Sequence, residues 1–196
     1  MLVSSLITPN PPYKALIFDC DGTLADTIPI HYQTWSKILE SVRVNLSKEW
    51  YYQHCGISAL EMLQILKNRF GYEFDAEEVA AAKQRYYRTL IHTIQPISAV
   101  AKIAQEHYGT VPMAVASGSH PSTLEATLKA IQLHQYFHTV VSINDVKKGK
   151  PEPDLFLLAA QRLGVSPQDC IVYEDSEGGL EAARRAGMRS IDVRIV

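Results

Sequence analysis

Two carboxylates one residue apart, Asp19 and Asp21, follow the apolar tetrad Ala15-Leu16-Ile17-Phe18 and precede Gly22. A short apolar run of this kind makes a strand buried on both faces. Residues two apart on a strand share a side, so both acids can leave its carboxyl end toward one point. Open parallel α/β sheets hold their ligands at that edge. Two anions so close repel; they need a cation between them, or one must keep a proton. A hard divalent ion with oxygen ligands meets the first need, and Mg2+ is the usual one beside phosphate. Asp-x-Asp-Gly also makes an ordinary turn at a strand end, and on its own the tetrapeptide does not choose.

Three later strings offer groups that would complete such a site. Ser117-Gly118-Ser119 follows the apolar run Met113–Ala116 and precedes a helical stretch. A hydroxyl and unpaired amides at a helix start favour an anion, although a plain N-cap has the same composition. In Lys147-Lys148-Gly149-Lys150-Pro151, the proline holds Lys150 extended and fixes where its side chain leaves. An ammonium there would offset repulsion between Asp19 and phosphoryl oxygens; Lys147 and Lys148 read as a solvated turn. Tyr173-Glu174-Asp175-Ser176 ends another apolar run with two more acids, Asp175 to complete a metal site opposite Asp19 and Glu174 beside it. Asp and Ser are also common helix caps, and both roles can hold at once.

The elements that must position these residues alternate. Residues 1–14, with Pro9, Pro11 and Pro12, read as an irregular lead-in. Pro29 marks a bend, after which Trp35, Ile38 or Leu39 and Val42 recur at helical spacing. Leu60, Leu63 and Phe70 do so again, as do Val79, Ala82, Tyr86 and Leu90. No strand is evident between about 28 and 93, so 29–94 reads as a small helical cap inserted after the first strand, with Gln95-Pro96 as the return linker. Beyond it helices are expected at 97–107, 122–131, 154–163 and 180–186. Strands are expected at 112–116, 139–142, 170–173 and 190–193. Gly164 and Gly187 stop two of the helices. The expected fold is α/β: a Rossmann-like, mostly parallel sheet with helices on both faces, built from 1–28 and 95–196.

Composition narrows the function. At 196 residues, 46% hydrophobic and 20% charged, the chain suits one soluble core with a small insertion. A net charge of −2 without a long basic run argues against nucleic acid as a partner. No stretch has membrane-spanning length. Residues 1–7 lack the basic leader and apolar run of a signal peptide. Cys20, Cys55 and Cys170 are far apart and without zinc-ligand spacing, which fits a reducing, cytoplasmic setting. Nothing asks for more than a monomer.

The run Asp19-Cys20-Asp21-Gly22-Thr23-Leu24-Ala25-Asp26-Thr27 resembles, without departure, the first signature of the haloacid dehalogenase-like hydrolase superfamily, Asp-x-Asp-Gly-Thr-Leu-x-Asp-Thr. Gly149-Lys150-Pro151-Glu152-Pro153-Asp154 is similar to its third motif, and Ser117 and Glu174-Asp175 stand where the second and fourth belong, so the resemblance spans about 14–193. It implies that Asp19 is a nucleophile forming an aspartyl-phosphate, and that Asp21 is the acid and then the base. Mg2+ would bind the Asp19 carboxylate, the Asp21 carbonyl and Asp175, with Glu174 as ligand or neighbour. Ser117, the Gly118 amide and Lys150 would hold the phosphoryl group. An acid at Asp21 also argues against the dehalogenase branch, whose halide leaves without a proton.

Within the superfamily the chain is similar to the β-phosphoglucomutase-like group, especially its short phosphatases of fructose 1-phosphate and 6-phosphogluconate. The run 149–162 and the ending Asp192-Val193-Arg194 carry that likeness. It implies a small phosphorylated sugar or sugar acid as substrate and a cap that closes over the site. His31 and Trp35, four apart on one helix face, match the group's cap helix; His31 could meet substrate or Asp21, and Trp35 fits cap core. One departure bears on the reaction. The mutases follow the cap's Gly-x-Ser with an arginine for a second phosphate, whereas here Gly56-Ile57-Ser58 is followed by Ala59. Lys67, Arg69 or Lys83 could substitute. Hydrolysis is therefore the first expectation, a phosphomutase the second, and a phosphate-ester-binding domain without turnover the third.

Overall fold

In a computed structural model of the chain, which describes residues 7–54 and 59–195, Ala15–Phe18 form the central strand β1 of a five-stranded sheet. The others are β2 (Met113–Ala116), β3 (Thr139–Val141), β4 (Cys170–Glu174) and β5 (Arg189–Asp192), in the order β3-β2-β1-β4-β5. Every pairing is parallel. After β3 the chain crosses back past β1 to begin β4, so β1 and β4 flank the point where the winding reverses. Phe18 pairs with Tyr173 and with Val115, which brings the carboxyl ends of β1, β2 and β4 level.

The residues of β1, β2 and β4 are buried throughout, as a sheet covered on both faces requires. On one face Ala15, Ile17, Ala114, Ala116 and Val172 pack against Leu155, Phe156, Ala159, Ala182 and Ala183. These come from two helices, Asp154–Leu163 and Glu177–Arg185. Phe18 and Tyr173, of opposite parity, stack on the other face with ring centroids 4.7 Å apart. Two further helices, Ser98–His107 and Pro121–Ala130, contribute the buried Val100, Ile103, Leu124 and Leu128. The helix expected at 180–186 begins instead at Glu177. Ser176 caps it by accepting the Gly179 amide at 3.0 Å, a signal that the poor helix formers Gly178 and Gly179 conceal.

By its internal contacts the chain divides at Asp26/Thr27 and Thr93/Ile94 into an α/β unit and a helical unit. The two crossing segments are joined on the α/β side, where Asp26 N–H donates to Gln95 O and Ile97 N–H to Leu24 O, each at 2.9 Å. Numbering the helices in chain order, the helical unit contains α1 (Ile28–Ser41), α2 (Lys48–His54), α3 (Ala59–Phe70) and α4 (Ala76–Leu90). Those of the α/β unit are then α5 (Ser98–His107), α6 (Pro121–Ala130), α7 (Asp154–Leu163) and α8 (Glu177–Arg185).

The core of the helical unit holds Trp35, Leu39, Tyr51, Met62, Leu63, Leu66 and Val79. Its packing corrects two expected stripes. Leu60 and Phe70 are exposed, and α3 buries Met62, Leu63 and Leu66 instead. On α4 the buried line is Val79, Lys83, Tyr87, one residue round from Ala82 and Tyr86. A lysine on that line hides the periodicity, but its apolar stem packs like a hydrophobe while the ammonium lies over the rings of Trp35 and Tyr87. Helix α2 also escaped the pattern, being seven residues long with three adjacent aromatics of which only Tyr51 is buried. No helix among the described residues is long and apolar enough to cross a membrane.

Candidate active site

Strand β1 stops at Phe18, so the alternation that would aim Asp19 and Asp21 at one point does not run through both. Asp19 continues the strand line, its N–H donating to Tyr173 O at 3.0 Å. The chain then turns around the Cys20 carbonyl, which accepts the amides of Thr23, Leu24 and Ala25 at 3.3, 3.0 and 2.9 Å. Gly22 has φ +88°, and a Cβ there would stand 2.1 Å from Asp175 Oδ2. Only glycine admits both that backbone and the Asp175 carboxylate at this place.

The turn separates the two acids. Asp19, Glu174 and Asp175 each place an oxygen within 4.8 Å of the others. The Asp21 side chain is outside this group and faces the loop after β2, where its Oδ2 accepts from Ser119 Oγ at 2.6 Å and lies 3.5 Å from Ser117 Oγ. Of the four residues expected at a metal, three therefore cluster through side chains; the resemblance gave Asp21 a place there through its backbone carbonyl and not its carboxylate.

Lys150 reaches the cluster from the loop between β3 and α7. Its Nζ donates to Asp19 Oδ1 at 2.5 Å and to Glu174 Oε2 at 2.7 Å, and lies 4.9 Å from the Phe156 ring centroid. The other Glu174 oxygen accepts from Asp175 N, Ser176 N and Ser176 Oγ at 3.1, 2.9 and 2.8 Å. The carboxylate of Glu174 rests directly on Gly179, where an added Cβ would fall 2.0 Å from its Cδ. Asp175 is held by Thr23, whose Oγ1 donates to Oδ1 at 2.9 Å.

Burial and crowding of like charge fix the electrostatics. Burial, then the Glu174 charge, drive the Asp19 carboxyl well above the usual range, with Lys150 opposing. The same two causes push Asp175 up to about 6. Burial would lower the Lys150 ammonium, but the charges and hydrogen bonds of Asp19 and Glu174 outweigh it and hold the proton firmly. Two buried carboxylates, Asp19 and Glu174, share one ammonium, and with the half-buried Asp175 they form an oxygen-rich, net negative pocket. That donor set suits a hard divalent cation.

Ser117 is buried beside this cluster, its N–H donating to Val141 O at 3.0 Å. Gly118 is exposed and has nothing within 4 Å of where a Cβ would be. His31 lies in the helical unit, stacked on Tyr87 at 4.3 Å between centroids, with Lys83 Nζ 3.0 Å from its Nδ1. Trp35 is in the core of that unit. Of the cations considered for a second phosphate, Lys83 is buried, Lys67 donates to Phe74 O, and Arg69 lies over Phe70. Gly56-Ile57-Ser58 and Cys55 lie outside the described residues. Thr23, Ser119 and Ser176 contact the acids and were not singled out in the sequence. Each sits inside a string that was, but a hydroxyl in a turn or cap carries no mark of the acid it will meet.

The model of the haloacid dehalogenase-like hydrolase family matches residues 13–187. The fructose-1-phosphate phosphatase YqaB of Escherichia coli K12 is 37% identical, over 94% of this chain and 98% of that protein. The β-phosphoglucomutase of Bacillus subtilis is 32% identical, over 92% and 83%. Among solved structures, a haloacid dehalogenase-like protein of unknown function from Agrobacterium tumefaciens superposes with a TM-score of 0.79 at 29% identity, covering 91% of this chain and 82% of that one.

Proposed function

We propose that this chain, which belongs to the haloacid dehalogenase-like hydrolases and is a phosphoric monoester hydrolase of that family, releases phosphate from small phosphorylated sugars or sugar acids through an aspartyl-phosphate on Asp19. The observation that carries the reading is the grouping of Asp19, Glu174 and Asp175 around the Lys150 ammonium at the carboxyl edge of the sheet.

In the first step an Asp19 carboxylate oxygen attacks phosphorus, the ester P–O bond breaks, and Asp21 gives its proton to the departing sugar oxygen. In the second, water attacks the same phosphorus while Asp21 takes its proton. The bond to Asp19 then breaks, and inorganic phosphate and the free carboxylate are left. Ser117, the Gly118 amide and Lys150 bind the phosphoryl oxygens during both steps. Mg2+, held by the carboxylates of Asp19 and Asp175 and the Asp21 carbonyl with Glu174 alongside, would screen the ester's charge from that of the nucleophile. The helical unit, as a cap, would exclude water and select the sugar, with His31 a candidate contact. The free, buried Cys20 and Cys170 suit a cytoplasmic setting.

The likeness to a β-phosphoglucomutase supports a competing outcome. Ala59, in place of the expected arginine, favours hydrolysis, because a bisphosphate held in two orientations needs a cation there. The test is a panel of hexose, pentose and sugar-acid phosphates assayed for phosphate with Mg2+ and with EDTA, beside Asp19→Asn. Mg2+-dependent release that this variant abolishes is expected. Isomerised ester in place of phosphate would establish the mutase, and substantial activity in the variant would refute the covalent route.

A further inference from the structure

Two hydroxyls of one loop approach the same oxygen of Asp21, and they do not do so equally. Ser119 Oγ donates to Oδ2 at 2.6 Å, the short separation of a charge-assisted bond. Ser117 Oγ stands off at 3.5 Å and accepts the Ser119 N–H at 3.0 Å. The loop bearing both is tied to the β3 side, with Ser117 N–H on Val141 O at 3.0 Å and Ile143 N–H on Ser119 O at 3.3 Å. Nor is Ser119 spent on the helix that follows. The cap of α6 is His120, whose side chain accepts from Ser122 N.

We propose that Ser119 is a positioning residue for Asp21: its hydroxyl fixes the orientation of that carboxylate and leaves the Ser117 hydroxyl hydrogen for the phosphoryl group. The inference rests on the phosphatase reading above, since it gives Asp21 its proton-handling task. A carboxylate on a turn swings about two side-chain bonds, and a short hydrogen bond to a loop anchored on the neighbouring strand removes that freedom. An acid that serves both steps must find the sugar oxygen and then the water from one pose. Misplacement by about 1 Å can cost about a hundredfold in rate.

The experiment compares wild type, Ser119→Ala, Ser119→Thr, Asp21→Asn and the Asp21→Asn/Ser119→Ala double variant, using fructose 1-phosphate or the ester hydrolysed fastest in the panel. Slow variants are followed in single turnovers. Ser119→Ala should lower kcat by about tenfold to a hundredfold with KM within about threefold and an unchanged melting temperature. Ser119→Thr, which keeps the hydroxyl, should recover most of the rate. In the Asp21→Asn background the alanine should cost nothing more, because Ser119 acts through the acid already removed. A full additional loss in that background, a raised KM with kcat kept, or an unaffected Ser119→Ala would overturn the proposal while leaving the phosphatase reading intact. A wild type inert on every ester would overturn that reading, and this inference with it.

Discussion

Replacing Asp175 by asparagine tests whether the acidic cluster is built for a cation, through a measurement that needs no substrate. In the metal-free protein the Asp175 carboxyl is raised from an ordinary 3.8 to about 6, first by burial and then by the Glu174 charge. A raised carboxyl costs the native state stability wherever it is ionised: the cost is full above pH 6, shrinks as pH falls, and is gone below about 3.8. The difference in proton affinity caps the cost near 3 kcal/mol. Asparagine removes the charge, keeps an oxygen for the Thr23 hydroxyl and is nearly the same size. A net gain of about 1–2 kcal/mol at pH 7.5 in EDTA corresponds to a melting temperature raised by roughly 2–8 °C for a chain of this length. The gain should fade between pH 6 and 4. Mg2+ should reverse the order, because wild type gains about 2.7 kcal/mol at a hundred times its dissociation constant and the variant much less. Thermal melts of both proteins at two pH values, with EDTA and with Mg2+, decide the matter. A variant less stable than wild type in EDTA at pH 7.5, or one stabilised as much by Mg2+, would refute the reasoning.

Two further substitutions probe the supports of the site. Gly179→Ala drives a Cβ into the Glu174 carboxylate, which four hydrogen bonds hold in place, so kcat should fall at least about tenfold as Lys150 loses its fixed partner. Gly178→Ala, with open space at that position, should keep full activity and gain up to about 1 kcal/mol; equal rates for the two would remove Glu174 from its role. Asp145, held at about 2 first by Ser142 and then by Arg162, stabilises the fold above pH 3.8 and ceases to as pH drops through 2. With its side chain 30% exposed, Asp145→Asn should cost only about 1 kcal/mol in urea unfolding at pH 7. A penalty that persists unchanged at pH 2 would show that charge is not its cause.

Some of this was legible in the residues and some was not, for physical reasons. Strands buried on both faces are unbroken apolar runs, so β1, β2 and β4 showed themselves, and the acids and hydroxyls at their ends came with them. Glu174 was read as following its strand, whereas it is the last residue of β4, because an acid satisfied by Lys150 and three donors can be buried at no cost that sequence reveals. Lys83 was read as a candidate cation for a second phosphate and not as part of its helix's buried line: a lysine breaks an apolar stripe on paper, while in the helical unit its stem completes one. The pairing of Asp21 with Ser119 joins residues 98 positions apart and depends on where β1 stops, which the Asp-x-Asp spacing does not state.

The charge distribution explains why these acids are gathered at all, when burying like charges opposes folding. Three carboxylates and one ammonium leave the pocket negative, and an ester dianion brought to it would meet repulsion on the order of 4 kcal/mol for each anion pair at 4 Å in a partly shielded site. Lys150 alone cannot offset this, since Asp19 and Glu174 already share its protons. On the proposed mechanism, a cation bound by the same oxygens would turn both liabilities around. It would relieve the repulsion among the acids, stabilising the fold, and would let the phosphate approach Asp19. Folding and catalysis would then call for the same ion, and a sequence selected for the second would retain acids that the first would otherwise discard.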